Sequence, residues 1–202
     1  MYAFTGQSWT PKTFKPKYDI KVTRGDYMWA NSNGLYRQDL TALLESAGVI
    51  LDTSENTNFK QFFRYGSPIR VPVLDTRACD NLNDMFMNCS VEIVDKLIFR
   101  EDGTQTVVNM IYLCPSLKTI TEIEGVIGQN MNLSKSTALD KQTITNIINA
   151  LSSVSSGMTL QLSKTAVNVA FETSTGLKDG SSSEEWLKLT QEDHANWSFS
   201  LV

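Results

Sequence analysis

The chain has 202 residues, 41% hydrophobic and 20% charged, a balance that suits one ordinary globular domain or two small ones with enough apolar side chain to fill a core. Its formal charge is −4, and no window gathers Lys and Arg densely enough to neutralise several phosphates, so nucleic acid is excluded as the expected partner. No apolar run approaches the length of about 18 residues that a membrane span needs, and the start MYAFTGQSWTPKTFKPKYDI lacks the basic and apolar regions of a secretory signal.

In chain order, the first element is a helix over residues 40–48, LTALLESAG, with Gly48 in the place that a helix C-cap favours. Short apolar runs with strand character follow at Val49-Ile50-Leu51, Val71-Pro72-Val73-Leu74, Leu97-Ile98-Phe99 and Ile120 to Ile123. Between them lie stretches such as Asp80 to Phe86, DNLNDMF, where Asn and Asp suit the cap of a single helical turn. Residues 139–151, LDKQTITNIINAL, place Leu139, Ile144, Ile147, Ile148 and Leu151 on one helical face. MTLQL (158–162) and WSFSL (197–201) alternate as strands, and 173–185, rich in Gly and Ser, reads as a loop.

Two segments nearly repeat each other. LDTSENTNFKQFF (51–63) and LDTRACDNLNDMF (74–86) share Leu, Asp, Thr, Asn and Phe at a constant offset of 23 residues. Large apolar pairs extend the pattern: Ala3-Phe4, Met28-Trp29, Phe62-Phe63, Met85-Phe86, Met110-Ile111 and Ala170-Phe171. Three residues past each stands a small or polar residue, namely Gln7, Ser32, Gly66, Cys89, Cys114 and Ser174. The second members are 25, 34, 23, 25 and 60 residues apart, so the middle copies are regular and the outer ones are separated by insertions. Trp29, Phe63, Phe86, Cys89, Ile111, Cys114 and Phe171 are therefore the expected repeat anchors. One such unit cannot bury its apolar side alone, whereas stacked units pair their strands and line the anchors into a stripe. The expected fold is an α/β solenoid of parallel strands with short helical turns, capped at both ends. Residues 1–48 form its N-terminal coil and cap, 49–128 its regular repeats, and 129–202 a C-terminal capping repeat carrying helix 139–151, all in one continuous domain.

The segments MFMNCSVEIVDKLIF (85–99) and MIYLCPSLKTITEIEG (110–125) resemble the BspA-type leucine-rich repeat, in which Phe, a Cys three residues on and an apolar strand make one coil. The stretch from Glu124 through NIINALSSVSSGMTLQL to NWSFSLV is similar to the closing part of repeat proteins in phages and prophages of gut Firmicutes, and FKPKYDI (14–20) and GVILDTS (48–54) look like their opening part. The resemblance implies a short curved solenoid used as an adhesive module, placed on a phage tail or virion surface or, alternatively, on a bacterial cell surface. Its partners would be a host-surface glycan or protein, or other virion proteins, with a homo-oligomer also open. MYAF falls inside what resembles the opening coil, so an attachment segment upstream is expected.

The residues supply little catalytic chemistry. His194 is the single histidine, so no two-histidine metal site and no Ser-His-Asp or Cys-His set has the parts it needs. Cys79, Cys89 and Cys114 match neither a disulfide framework nor a paired metal motif, and Cys89 and Cys114 occupy equivalent repeat positions, where a free Cys acts as a small hydrophobe. DTSENTNF (52–59) has oxygens at alternate positions, but Thr57 and Phe63 stand where a calcium loop needs Gly and Glu. GVIG (125–128) reads as a turn. No metal or other cofactor and no enzymatic activity are expected. Function is expected on columns of equivalent positions: Arg70, Ile93 and Lys118 stand seven residues past three anchors, and Arg77 and Arg100 just after strands. Arg70, Arg77, Arg100 and Lys118 are the candidate binding residues, where an acidic glycan or protein would be sought first. A decoration or assembly role in a virion is the alternative, with contacts through a strand edge or an end cap.

Overall fold

A computed structural model describes residues 17–31, 36–171 and 183–202. The pair Ala3-Phe4 with Gln7, as well as Ser32 and Ser174, lie outside them. Among the described residues every strand pairing is parallel; one helix lies between the first two strands, a run of six strands follows without a helix, and the remaining helices come after it. Strand β1 (Ile20–Lys21) pairs with β2 (Leu51–Asp52). Strands β3 (Arg70–Val71) and β4 (Leu74–Asp75) both pair with β5 (Ile93–Ile98), which pairs in turn with β6 (Thr119–Glu124). β3 and β4 run in line and are separated by Pro72-Val73, because a proline has no N–H to give to a ladder. The chain returns to this sheet after 23 residues (Leu74 opposite Leu97) and then after 26 (Leu97 opposite Ile123).

β5 begins four residues earlier than the apolar run 97–99 implies. Val94 and Leu97 are buried with the half-buried Asp95 and Lys96 between them, so neither a two-residue alternation nor an apolar run marks the strand. Helix α1 (Leu40–Ala47) starts at Asp39, whose carboxylate accepts the Ala42 N–H, and stops at Gly48, left-handed at φ 64°. Helix α2 (Lys141–Asn149) starts at Asp140, which accepts the Thr143 N–H. It is two residues shorter at each end than the apolar face 139–151 suggests, since Leu139 precedes the cap and Leu151 instead makes a parallel bridge to Ile127.

Opposite the strands the chain forms a second hydrogen-bonded wall, made of turns. Trp29 N–H donates to Phe62 O, Phe63 N–H to Met85 O, and Phe86 N–H to Met110 O. The residues two places before and two after each ring are left-handed: Tyr27 and Asn31, Gln61 and Tyr65, Asp84 and Asn88, with Leu113 two past Ile111. The helical turn expected over Asp80 to Phe86 is therefore absent, because Asp84 at φ 63° cannot continue a right-handed helix.

Toward the C-terminus the turn wall becomes a regular parallel sheet of β7 (Met131–Leu133), β8 (Met158–Leu162) and β9 (Trp197–Leu201). Helix α3 (Lys164–Phe171), the short α4 (Glu184–Leu187) and a π-helical turn over Lys188–Glu192 complete this end. One apolar cluster runs from Val22 to Trp197. At its centre Phe63 stacks on Trp29 (centroids 5.4 Å apart, planes at 12°) and on Phe86 (5.2 Å, 5°). Phe171, expected as the last anchor, is not in that stack: it ends α3 and meets Trp186 edge-on at 5.2 Å. The gap of 60 residues before it conceals a further coil at Leu133 and Ser136, both buried; Ser136 Oγ donates to Ile111 O as Cys114 Sγ does to Phe86 O.

Candidate binding surface

The β3–β6 sheet sets residues from separate coils side by side. Arg70, Ile93 and Thr119 form one row across the strands, and Asp75, Ile98 and Glu124 another. Both flanks of the sheet are tied to helices. Asp39, the cap of α1, bridges to Arg70, and Thr41 Oγ1 donates to Asp95 Oδ2 at 2.7 Å. On the other side Asp140 N–H donates to Lys118 O, Thr119 Oγ1 donates to Asp140 Oδ2 at 2.6 Å, and the Asn146 amide donates to the carbonyls of Ile120 and Thr121. Helices thus occupy the places where open strand edges would stand.

Each candidate cation lies against a carboxylate of the chain itself. Arg70 Nε meets Asp95 Oδ1 at 2.5 Å, and the Asp95 hydrogen bond holds the guanidinium above its usual range. Arg77 grips Asp75 through two nitrogens, Nη2 at 2.6 Å and Nε at 3.0 Å. Burial pushes the Asp75 carboxyl up, but the hydrogen bonds from the Arg77 side chain and N–H outweigh it, and the net shift is downward. Arg100 meets Asp80 at 2.6 Å and donates Nε to Arg77 O, and Lys118 meets Glu92 at 2.9 Å. One member of each pair is more than a third open to solvent, which screens the attraction, so their chief effect is to neutralise the surface.

The row proposed from spacing also shifts. The residue aligned with Arg70 and Ile93 is Thr119, not Lys118, because CPSL separates Cys114 from the buried Leu117 by one residue more than CSV separates Cys89 from the buried Val91. Spacing alone also missed Thr41, Asp95 and Lys96, the last bridging Glu122 and Glu124 at 2.7 Å each. The signal for Asp95 and Lys96 was present in two charges set within an apolar strand, IVDKLI; Thr41 gave none.

The remaining reactive groups serve the fold. All three cysteines are free and buried; burial pushes the Cys114 thiol up to about 12 and the Cys89 thiol well above its usual value, which suppresses the nucleophilic thiolate. The oxygens of DTSENTNF are spent on the chain: Asp52 accepts the Ser54 N–H and hydroxyl, and buried Asn56 accepts the N–H groups of Gly25 and Asn58. No group of three or more His, Cys, Asp or Glu among the described residues is arranged to hold a metal ion. Burial lowers the pKa of His194. A cleft of about 490 Å³ lies between Thr57-Asn58-Lys60 and Cys79 to Asp84, and another of about 400 Å³ between the π-helical turn and β9. No helix among the described residues is long and apolar enough to cross a membrane. No protein-family model, curated protein or solved structure matches the chain.

Proposed function

We propose that the chain is a non-catalytic recognition module, a short leucine-rich-repeat solenoid of the BspA type that is borne on a phage tail or other virion surface and binds a protein or glycan of the host cell. The observation that carries this reading is the row structure of the β3–β6 sheet. Arg70, Ile93, Thr119, Asp75, Ile98 and Glu124 come from three coils onto one ladder, held on both flanks by helices. A surface fixed in advance loses little conformational freedom on binding. Its cations are matched by carboxylates, while Ile93, Ile98 and Val73 are apolar and partly open. That mixture favours a partner offering apolar contact and hydrogen bonds over a polyanion.

The test is binding of the purified chain to a glycan array and to intact host cells. Ile93→Thr with Ile98→Thr, which keeps the β-branched shape and adds no charge beside Asp75 and Glu124, is expected to lower affinity at least about tenfold, or 1.4 kcal/mol, with the fold retained by circular dichroism. Unaltered binding by the folded double variant would exclude this face. Turnover of a host polysaccharide by the wild-type chain would replace recognition with catalysis. An assembly role in a virion is the second reading, and the outer edge of β9, which among the described residues pairs only with β8, favours it.

A further inference from the structure

Among the described residues the first and last strands are finished differently. β1 is two residues long and carries Lys21, ion-paired to Glu55 at 2.7 Å, a short charged edge of the kind that resists further pairing. β9 is five residues long, Trp197-Ser198-Phe199-Ser200-Leu201, has no charged side chain and, among the described residues, pairs only with β8. Phe199 and Leu201 are half-buried, whereas their partners Leu160 and Leu162 on β8 are 0% exposed. The cleft of about 400 Å³ opens beside them, with Trp186 and Thr190 also in its wall.

The backbone of β9 has a defined polarity. Val202 N–H donates to Leu162 O, and Val202 O accepts from Lys164 N–H. By alternation Ser198 and Ser200 also face β8, while Phe199 and Leu201 turn their N–H and C=O groups outward.

We propose that β9 pairs with the β9 strand of a second copy of this chain, antiparallel across a two-fold axis at Phe199, to make a tail-to-tail dimer. The strand reads apolar, Ser, apolar, Ser, apolar in either direction. Across a two-fold axis Phe199 meets its own symmetry mate, Trp197 meets the second copy's Leu201, and Ser198 meets Ser200. The two Phe199 residues exchange both backbone hydrogen bonds, and the half-buried apolar side chains of the two copies cover each other. Charge agrees with this pairing. Although each chain carries −4, the paired strip is neutral, and the two-fold sets the Lys164 end of each strand beside the Glu192-Asp193 end of the other. The dimer does not depend on the recognition reading, since β9 and the β3–β6 sheet are separate surfaces.

Light scattering and sedimentation of the intact chain at about 100 µM, where a micromolar Kd leaves the dimer dominant, are expected to give twice the 22.6 kDa of the monomer. Leu201→Lys is expected to return the mass to 22.6 kDa with circular dichroism unchanged. A second variant, Phe199→Cys, places two thiols on residues whose Cα atoms stand about 5.5 Å apart, within disulfide reach. Mild oxidation is expected to link it as a dimer, while Ile50→Cys, at a position 66% exposed beside β2 in a sheet separate from β9, stays unlinked. A native chain that is monomeric at that concentration, a dimer that survives Leu201→Lys, a ladder of larger species, or a folded Phe199→Cys that does not link would each overturn the proposal.

Discussion

Phe63 occupies the middle of a three-ring stack with Trp29 and Phe86, and all three rings are 0–1% exposed. Removing it leaves a cavity between two coils at once, so Phe63→Ala is expected to cost about 3–5 kcal/mol, read from urea denaturation. A loss under 1 kcal/mol would mean that the coils close over the gap. The left-handed turn residues make a second prediction. Leu113 sits at φ 59°, where glycine is at ease and a Cβ costs about 1 kcal/mol. Leu113→Gly is therefore expected to be more stable than Leu113→Ala by about that amount. Equal stabilities would show that the turn relaxes when the side chain is cut back. At this scale the rings were legible in the sequence, since Phe63 and Phe86 repeat 23 residues apart, but the conformations around them were not: Tyr, Gln and Leu do not announce a positive φ as Gly or Asn does.

Among the elements, α1 and α2 show the same construction at opposite sides of one sheet. Each begins at an Asp that caps the helix and also bonds toward a neighbouring strand. Asp140 accepts the Thr143 N–H and the Thr119 hydroxyl, so Asp140→Ala is expected to cost about 1–2 kcal/mol and Asp140→Asn, which keeps an acceptor, distinctly less. Equal losses in thermal melts would point to charge as the operative property, not the acceptor. Helices α1 and α2 and the alternating strands β8 and β9 could be read from their local patterns, because each writes its own period in the side chains, whereas α3 was not legible as a helix and α4 begins inside the stretch 173–185 that reads as a loop. β7 has three residues and β5 carries Asp95-Lys96 at its centre, so neither displays a period of its own, and both are strands by virtue of their neighbours.

For the whole molecule, the repeated corners make stability depend on acid in a definite direction. Asp52 is lowered from 3.8 by the Ser54 hydroxyl and N–H, Asp102 by the Thr104 N–H and hydroxyl, and Asp75, despite its burial, by Arg77. Their folded pKa values lie below the unfolded ones, so the stabilisation they bring is complete above about 3.8 and is lost as pH falls through the lowered values. His194, lowered from 6.5 by burial, adds a smaller loss that starts as pH drops below 6.5, where the unfolded chain takes the proton first. The urea midpoint is expected to dip slightly below pH 6.5 and steeply below 3.8, with the first step absent in His194→Gln. A midpoint that rises on acidification would contradict both assignments.

What the sequence by itself determined is the set of features written locally: the 23-residue recurrence, the capped helices, the alternation of MTLQL and WSFSL and the apolar residues destined for burial. What only the tertiary structure decided is how the coils meet. It displaced Lys118 from the row of Arg70 and Ile93, took Phe171 out of the ring stack, uncovered the coil at Leu133, and set Asp95, Asp75, Asp80 and Glu92 against the four candidate cations. The physical reason is range. A helix or strand period reports on residues within one element, whereas register, and with it charge pairing, is set where segments some 20 to 30 residues apart pack, and a single extra residue such as that in CPSL shifts it.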